Sequence, residues 1–318
     1  MQDKPLVSVV TVAYNAHRYI RDAIESVLAQ EYDNIEYIIG DDCSTDETWS
    51  IIQEYHDPRI RAYRNEGNLR EYPNRNKAID LATGKYLIFI DGDDIIFPHG
   101  IGFFVSMMES FPEAALAIQK NYYNNILYPA LMKPEQTLRN SFYGKFNLLT
   151  SSFASDFFRM DVLKKLKLPT DYISGDEEIR LKIAMHYPIV FVAGWVSWPR
   201  ETPGQASSRI GFSNWIKEYY QYTLQILSNA NKEIGSDLLH DMKATAKRHV
   251  ARCIILLIRK GNFRGAKEIQ HSLGFSWAQV MKYYNYKPAY NDTLENYTPD
   301  NPFKNGFLNR IPGKQMPL

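Results

Sequence analysis

Cysteine is nearly missing from this chain: Cys43 and Cys253 are the two in 318 residues, far apart and in no metal-ligand spacing. That excludes a disulfide framework and a thiolate metal site, and it fits a reducing compartment. A surplus of one charge sign is missing too. Thirty-seven basic against 36 acidic side chains leave a net +1, so there is no bulk cationic footprint and no nucleic-acid partner is expected. No apolar run approaches the ~20 residues of a membrane span, and the longest candidate, 253–258, is far too short. The opening MQDKP leads straight into a strand-like run, so no secretory leader is expected. Glycine-rich phosphate turns are lacking as well. After the first apolar run the chain reads Ala13-Tyr14-Asn15-Ala16-His17, and no P-loop pattern occurs anywhere. A dinucleotide oxidoreductase needs glycine there to let backbone approach a pyrophosphate, so any phosphate bound here must be held by metal and side chains.

What is present is ample core material, 45% hydrophobic and 14% aromatic. LVSVVTVA at 6–13 has the pattern of a buried strand, and 17–30 that of a helix with Ile20, Ala23, Ile24, Val27 and Leu28 on one face. A second strand is expected over 35–40, followed by Asp41, Asp42 and a Ser/Thr/Asp cluster that caps a helix over 47–55. A short strand at 59–64, a helix at 74–82 and a strand at 85–90 complete the series. Repeated β-α-β units predict an α/β fold, a mostly parallel sheet flanked by helices, with ligands beyond the carboxyl ends of its strands. Polar residues fall there after three strands: Tyr14 and Asn15, Asp41 and Asp42, then Asp91, Asp93 and Asp94.

The last of these strands, in KYLIFIDGDD, stops abruptly in carboxylates. Asp91, Asp93 and Asp94 lie within four positions, where like charges repel unless a cation or donors sit among them. Oxygen-only ligands suit a hard divalent ion, Mg2+ or Mn2+, whose shell substrate phosphates complete. The same aspartates would also serve as a turn and cap before Pro98. Tyr14 can stack on a base or simply pack at a strand end.

VSVVTVAYN, EYIIGDDCSTDET and NRNKAIDLATGKYLIFIDGDD, in that order and spacing, resemble the N-terminal half of the inverting family-2 glycosyltransferases, which have a GT-A fold. The likeness runs from about residue 6 to about residue 208. It implies that Asp93 and Asp94 bind the metal and the sugar-nucleotide diphosphate, with Asp91 beside them, and that Tyr14 and Asp42 hold the nucleobase, with Asn15 alongside. The stretch around Asn74-Arg75-Asn76-Lys77-Ala78 departs from the family pattern, which leaves UDP- and GDP-linked donors both open. Arg70, in the unusual GNLREYP run before it, suits a base or a phosphate because a guanidinium fork fits either; an exposed loop charge is the alternative.

Further on, a helix is expected over 98–110, a strand over 114–119, an unassigned tyrosine-bearing insertion over 121–147 where acceptor specificity would reside, a strand over 151–158 and a short helix over 161–166. Ser174-Gly175-Asp176-Glu177-Glu178 opens another helix with acids in its first turn, a placement the helix dipole favours by itself. By the resemblance, Asp176 is the catalytic base that takes the acceptor hydroxyl proton, Gly175 replaces a glutamate, and Glu177 is the reserve candidate. Trp198-Pro199-Arg200 and Gln205-Ala206-Ser207-Ser208 resemble the family segment over the diphosphate, with Arg200 as a phosphate contact. From Phe212 the period is helical, with stripes at Ile216, Tyr219, Tyr220, Thr223 and at Met242, Ala246, Val250, Cys253, Leu257. Basic residues Lys243, Lys247, Arg248, Arg252, Arg259 and Lys260 suit an anionic membrane surface, although a solvated face is the plainer reading and a homodimer through these helices is equally compatible.

The expectation is a GT-A domain over 1–210, donor half to 110 and acceptor half from 111, followed by a helical extension over 211–318. Its expected activity is transfer of a sugar from a nucleotide-diphosphate donor to a glycan or lipid-linked acceptor of a surface polysaccharide. The expected setting is the cytoplasm or the cytoplasmic face of the inner membrane. The rivals are a sugar nucleotidyltransferase, whose glycine-rich basic signature is missing near the N-terminus, and a non-catalytic glycan- or nucleotide-binding module.

Overall fold

A computed structural model describes residues 4–120, 128–144, 147–171, 175–202, 211–230 and 234–290. In chain order the first half holds β1 (Val7–Ala13), α1 (Ile20–Leu28), β2 (Ile35–Asp41), α2 (Thr48–Gln53), β3 (Ile60–Arg64), α3 (Glu71–Leu81), β4 (Tyr86–Phe89), β5 (Ile95–Ile96) and α4 (Gly100–Ser110). Then follow β6 (Leu116–Gln119), β7 (Ala130–Met132), α5 (Pro134–Tyr143), β8 (Asp156–Arg159), α6 (Met160–Leu166), α7 (Gly175–Ala184), β9 (Ile189–Val192) and β10 (Ser197–Trp198). Four helices close the described chain: α8 (Phe212–Ser228), α9 (Ser236–Arg259), α10 (Phe263–Ser272) and α11 (Trp277–Tyr284).

Eight strands form one sheet in the order β3-β2-β1-β4-β8-β6-β9-β7, and β10 pairs with β5 in a separate ribbon. β1 runs parallel to both β2 and β4, so the chain segments that follow these three strands emerge at the same edge. β8 enters antiparallel between β4 and β6 and joins the two halves. β1 and β4 are buried on both faces, and their side chains alternate between two cores. Val10, Leu87 and Phe89 point into one, and Val7, Val9, Ile88 and Ile90 into the other.

Several elements are shorter than expected, α1 and α2 among them, and three differences bear on the surroundings of the site. α3 begins at Glu71 rather than Asn74, because Pro73 sits in the first helical turn, where its missing N–H is not needed. The strand expected over 151–158 starts only at Asp156, after a 3-10 turn at Phe153–Ser155. The insertion over 121–147 contributes an edge strand, β7, antiparallel to β9, and the helix α5. The 205–208 motif lies outside the described residues.

The C-terminal helices build a core of their own around Ile216, Val250, Ile254, Ile269 and Val280. They are not independent of the sheet, since Tyr222, Ile226 and Met242 join the core on one of its faces. Two of the basic residues on α9 touch neighbouring tyrosines: half-buried Lys247 reaches the Tyr283 hydroxyl at 3.4 Å and exposed Arg259 that of Tyr284 at 3.0 Å. Among the described residues, no helix is long and apolar enough to cross a membrane.

Candidate active site

At the edge where β1, β2 and β4 end, the fold opens into a cleft of about 1190 Å³. Tyr14 and Asn15 follow β1, Asp42 follows β2, and Arg70 precedes α3. Asp91, Asp93 and Asp94 follow β4, Asp176 lies in the first turn of α7, and Arg200 comes after β10. All nine line this one cavity.

At one end Tyr14 is 44% exposed, an aromatic face left open. Asn15 adopts φ 52°, a left-handed conformation asparagine tolerates. Its backbone N–H donates to Ser44 Oγ at 3.0 Å, and its side-chain oxygen accepts from Thr45 N–H at 2.9 Å, so it fixes the turn carrying Tyr14. Asp42 is buried and accepts from Asn65 Nδ2, Leu69 N–H and Arg70 N–H, each at 2.9 Å. A carboxylate offers about four acceptor positions, so Asp42 organises the 65–70 loop and keeps capacity for a ligand donor. Arg70 sits at φ 73°, ψ 172°, a backbone region nearly reserved for glycine, and its N–H bonds to Asp42 and Asn68 hold it there. Its exposed side chain borders the cleft.

The acidic corner is less uniform than the sequence suggested. Asp91 is held by Arg75, whose Nη2 lies 2.6 and 2.7 Å from the two carboxylate oxygens. Arg75 is 3% exposed and lies under the rings of Tyr72, Phe89 and Phe153. Burial opposes its charge, yet Asp91 and Glu71 outweigh it, and the guanidinium stays protonated. Asp93 accepts from the Thr202 hydroxyl at 2.7 Å, and burial pushes its carboxyl above the usual range. Asp94, 7% exposed, accepts from Arg200 N–H at 3.0 Å. Burial and the neighbouring charge of Asp91 push it up to about 8. A buried carboxyl beside like charges keeps its proton unless a cation takes the proton's place, so the chemistry of this pair fits a hard divalent ion. Among the described residues no group of three or more His, Cys, Asp or Glu is arranged to hold a metal. An ion at Asp93 and Asp94 therefore needs further oxygens from its ligand, as a diphosphate would supply.

Arg200 lines the cleft and its charge acts on Asp93, while its guanidinium is also engaged within the protein. Its Nη2 pairs with Asp22 of α1 at 2.9 Å, and the group lies over the rings of Tyr19 and Trp198 at 4.7 and 5.4 Å. Its backbone N–H donates to Asp94 in the acidic corner.

Asp176 projects from α7 with its side chain 26% exposed. Its N–H donates to the Tyr72 hydroxyl at 3.2 Å, and its Oδ2 accepts from Arg180, one turn on, at 3.1 Å. Arg180 is fully buried and also donates to Asp156 at 2.6 Å and to the carbonyls of Leu149 and Ser151 at 3.1 and 2.7 Å. Gly175 has a local reason: a Cβ there would meet Pro169 and the Tyr72 ring at 2.8 Å. Glu177 is engaged by the hydroxyls of Tyr222 at 2.8 Å and Thr150 at 3.2 Å, and burial followed by the Asp176 charge raises its pKa. Tyr222 and Thr202 carry no sequence signal as partners of the site acids, since both read as ordinary helix and loop positions. Arg75 stood in a motif but carried no role.

The model of the glycosyl transferase family 2 matches residues 8–167. TuaG of Bacillus subtilis (strain 168), a glycosyltransferase provisionally placed in teichuronic acid biosynthesis, is 50% identical over 93 residues, 29% of this chain and 37% of TuaG. WfaP of Escherichia coli, named as a UDP-Glc:alpha-D-GlcNAc-diphosphoundecaprenol beta-1,3-glucosyltransferase, is 40% identical over 118 residues, 37% of this chain and 46% of WfaP. These alignments cover less than half of either relative. Among solved structures, S. aureus TarS 1-349 in complex with UDP-GlcNAc superposes with a TM-score of 0.61 at 16% identity, over 85% of this chain and 93% of TarS 1-349. At that identity the likeness is one of fold, the GT-A type.

Proposed function

Because the chain belongs to glycosyl transferase family 2, we propose that it moves a sugar from a nucleotide-diphosphate donor to a glycan or lipid-linked acceptor, with inversion at the anomeric carbon. The observation that carries this reading is that Asp176 lines the same cleft as Asp93 and Asp94, with Tyr14 and Asp42 bordering it too. The substrates that WfaP is named for and the ligand bound to TarS support a sugar nucleotide as donor and a lipid-linked sugar as one kind of acceptor.

In this reading the open ring of Tyr14 stacks on the nucleobase, and Asp42 accepts from a base N–H. Asp93 and Asp94 hold a divalent ion, Mn2+ or Mg2+, which when bound neutralises charge on the departing nucleoside diphosphate. Arg75 holds Asp91 in place at the edge of that corner. Asp176 takes the proton of the incoming hydroxyl as attack develops, and Arg180 with Tyr72 fixes its orientation for an in-line approach. Inversion in one displacement needs no covalent enzyme intermediate.

The test is a thermal-shift panel of UDP and GDP with and without Mn2+, joined to turnover of the matching sugar nucleotides by wild type and Asp176→Asn. A ligand that binds the folded state raises the melting temperature, and UDP or GDP is expected to do so. General-base removal is expected to slow turnover by about 10²–10⁴-fold while the nucleotide shift persists. Unchanged turnover in Asp176→Asn removes the base role. A panel with no shift for any nucleotide removes the donor site.

A further inference from the structure

The cleft is larger than one donor requires. Single-ligand pockets measure about 300–1,000 Å³, and this one, at about 1190 Å³, is lined also by the first turn of α7 and the first helix of the C-terminal extension. That wall carries Phe212 and Trp215 of α8 beside Thr150, Ser151, Ser152 and Glu177. Phe212 is 46% exposed. The Trp215 ring is braced from behind: it stacks on Tyr219 at 5.9 Å and 27°, and meets His249 edge-on at 6.3 Å. Phe212 lies 6.3 Å from it at 34°, so two neighbouring rings line this part of the cleft. Glu177 is held in place by Tyr222 and Thr150.

Aromatic faces set next to hydroxyls and a fixed carboxylate are suited to one class of ligand, a pyranose ring. Its axial C–H bonds make an apolar face that stacks on indole or phenyl, while its equatorial hydroxyls radiate toward hydrogen-bonding side chains. A bare polyprenyl chain would set apolar surface against the polar side of this wall, Thr150, Ser151, Ser152 and Glu177, and a diphosphate would meet the carboxylates of Glu177 and Asp176 there. Resting on the donor reading above, we infer that Phe212 and Trp215 are the platform for the terminal sugar of the acceptor. The ring stacks on them, its hydroxyl edge meets Thr150 and Glu177, and the reacting hydroxyl is turned toward Asp176. The C-terminal helices thereby supply acceptor recognition, a role the sequence reading assigned to the 121–147 insertion.

The probes are methyl glycosides of glucose, N-acetylglucosamine, galactose and mannose, each titrated at a fixed concentration of the sugar nucleotide that wild type turns over, with nucleoside diphosphate release as readout. In wild type at least one glycoside is expected to accelerate release saturably. In Phe212→Ala and Trp215→Ala its half-saturating concentration is expected to rise about tenfold or more, the scale of a lost aromatic contact, with the nucleoside diphosphate thermal shift retained. Trp215→Phe should recover much of the loss. Phe212→Ala, at an exposed ring, keeps the test open should Trp215→Ala fold poorly. Unaltered glycoside saturation in the Phe212→Ala variant overturns the platform, as does a wild type that ignores every glycoside. A wild type that binds no nucleoside diphosphate overturns the donor reading and the platform together.

Discussion

Asp42 accepts hydrogen bonds from Asn65, Leu69 and Arg70 and also borders the nucleotide end of the cleft. Its removal should therefore affect more than ligand binding. Bonds to a charged acceptor are worth about 1.5–3 kcal/mol each and do not add fully, so Asp42→Ala is expected to lower unfolding stability by about 2–4 kcal/mol and to abolish the nucleotide thermal shift. Urea unfolding of the ligand-free variant checks the first part; wild-type stability would show that the 65–70 loop does not depend on this carboxylate. Asp42 was legible in the sequence as a strand-end acid, whereas its grip on the loop was not, because Leu69 and Arg70 contribute backbone groups that have no sequence signature. Asp91 shows the same limit. Its charge was visible, and its neutralisation by Arg75, sixteen residues earlier, was a matter of how α3 lies against β4.

At the scale of elements, α7 shows how a helix is tied into the fold by one buried charge. Ile179 and Ile183 pack inward, and Lys182 pairs with Glu178 at 2.6 Å. Arg180, between two apolar residues, had no reason in sequence to be fully buried. It is so because Asp156 at the head of β8 faces it, with both side chains excluded from water. Removing one partner of such a pair leaves a buried charge uncompensated, at about 3–5 kcal/mol. Arg180→Met is accordingly expected to be destabilised by that amount in chemical denaturation, and the double variant Arg180→Met, Asp156→Leu to regain part of it. A single variant as stable as wild type would mean the pair does not anchor α7. The same interaction explains why the strand expected over 151–158 is shortened: Ser151 is occupied with Asp156 and Arg180, and the chain turns before β8 begins.

For the whole molecule, the pH dependence of folding carries the mark of another buried cation near that pair. Lys120, at the end of β6, is 8% exposed and donates to the Thr150 carbonyl. Burial, and then the Arg180 charge, push its pKa down from 10.5 to about 8. Between those values the unfolded chain binds the proton more often than the folded one, so this group makes stability rise with pH from about 8 toward 10.5 and contributes no slope below that window. Buried tyrosines and the Cys253 thiol, pushed up by burial, act with the opposite sign toward the top of this window, so the Lys120 contribution is read as the difference between wild type and Lys120→Met. That difference in unfolding free energy should rise with pH from about 8 toward 10.5, and parallel curves would refute the assignment. What the sequence determined by itself is the alternation of strand and helix and the residues at the strand ends. Unbroken apolar runs such as 86–90 can only be buried, and parallel strands deliver whatever follows them to one edge. What only the tertiary structure decided is which of those polar residues are free to meet a ligand and which are tied to protein. Asp91 against Arg75, Arg200 against Asp22, Glu177 against Tyr222 and the aromatic wall of α8 all depend on contacts between elements distant in sequence. Such pairings follow from packing geometry, and no local pattern encodes them.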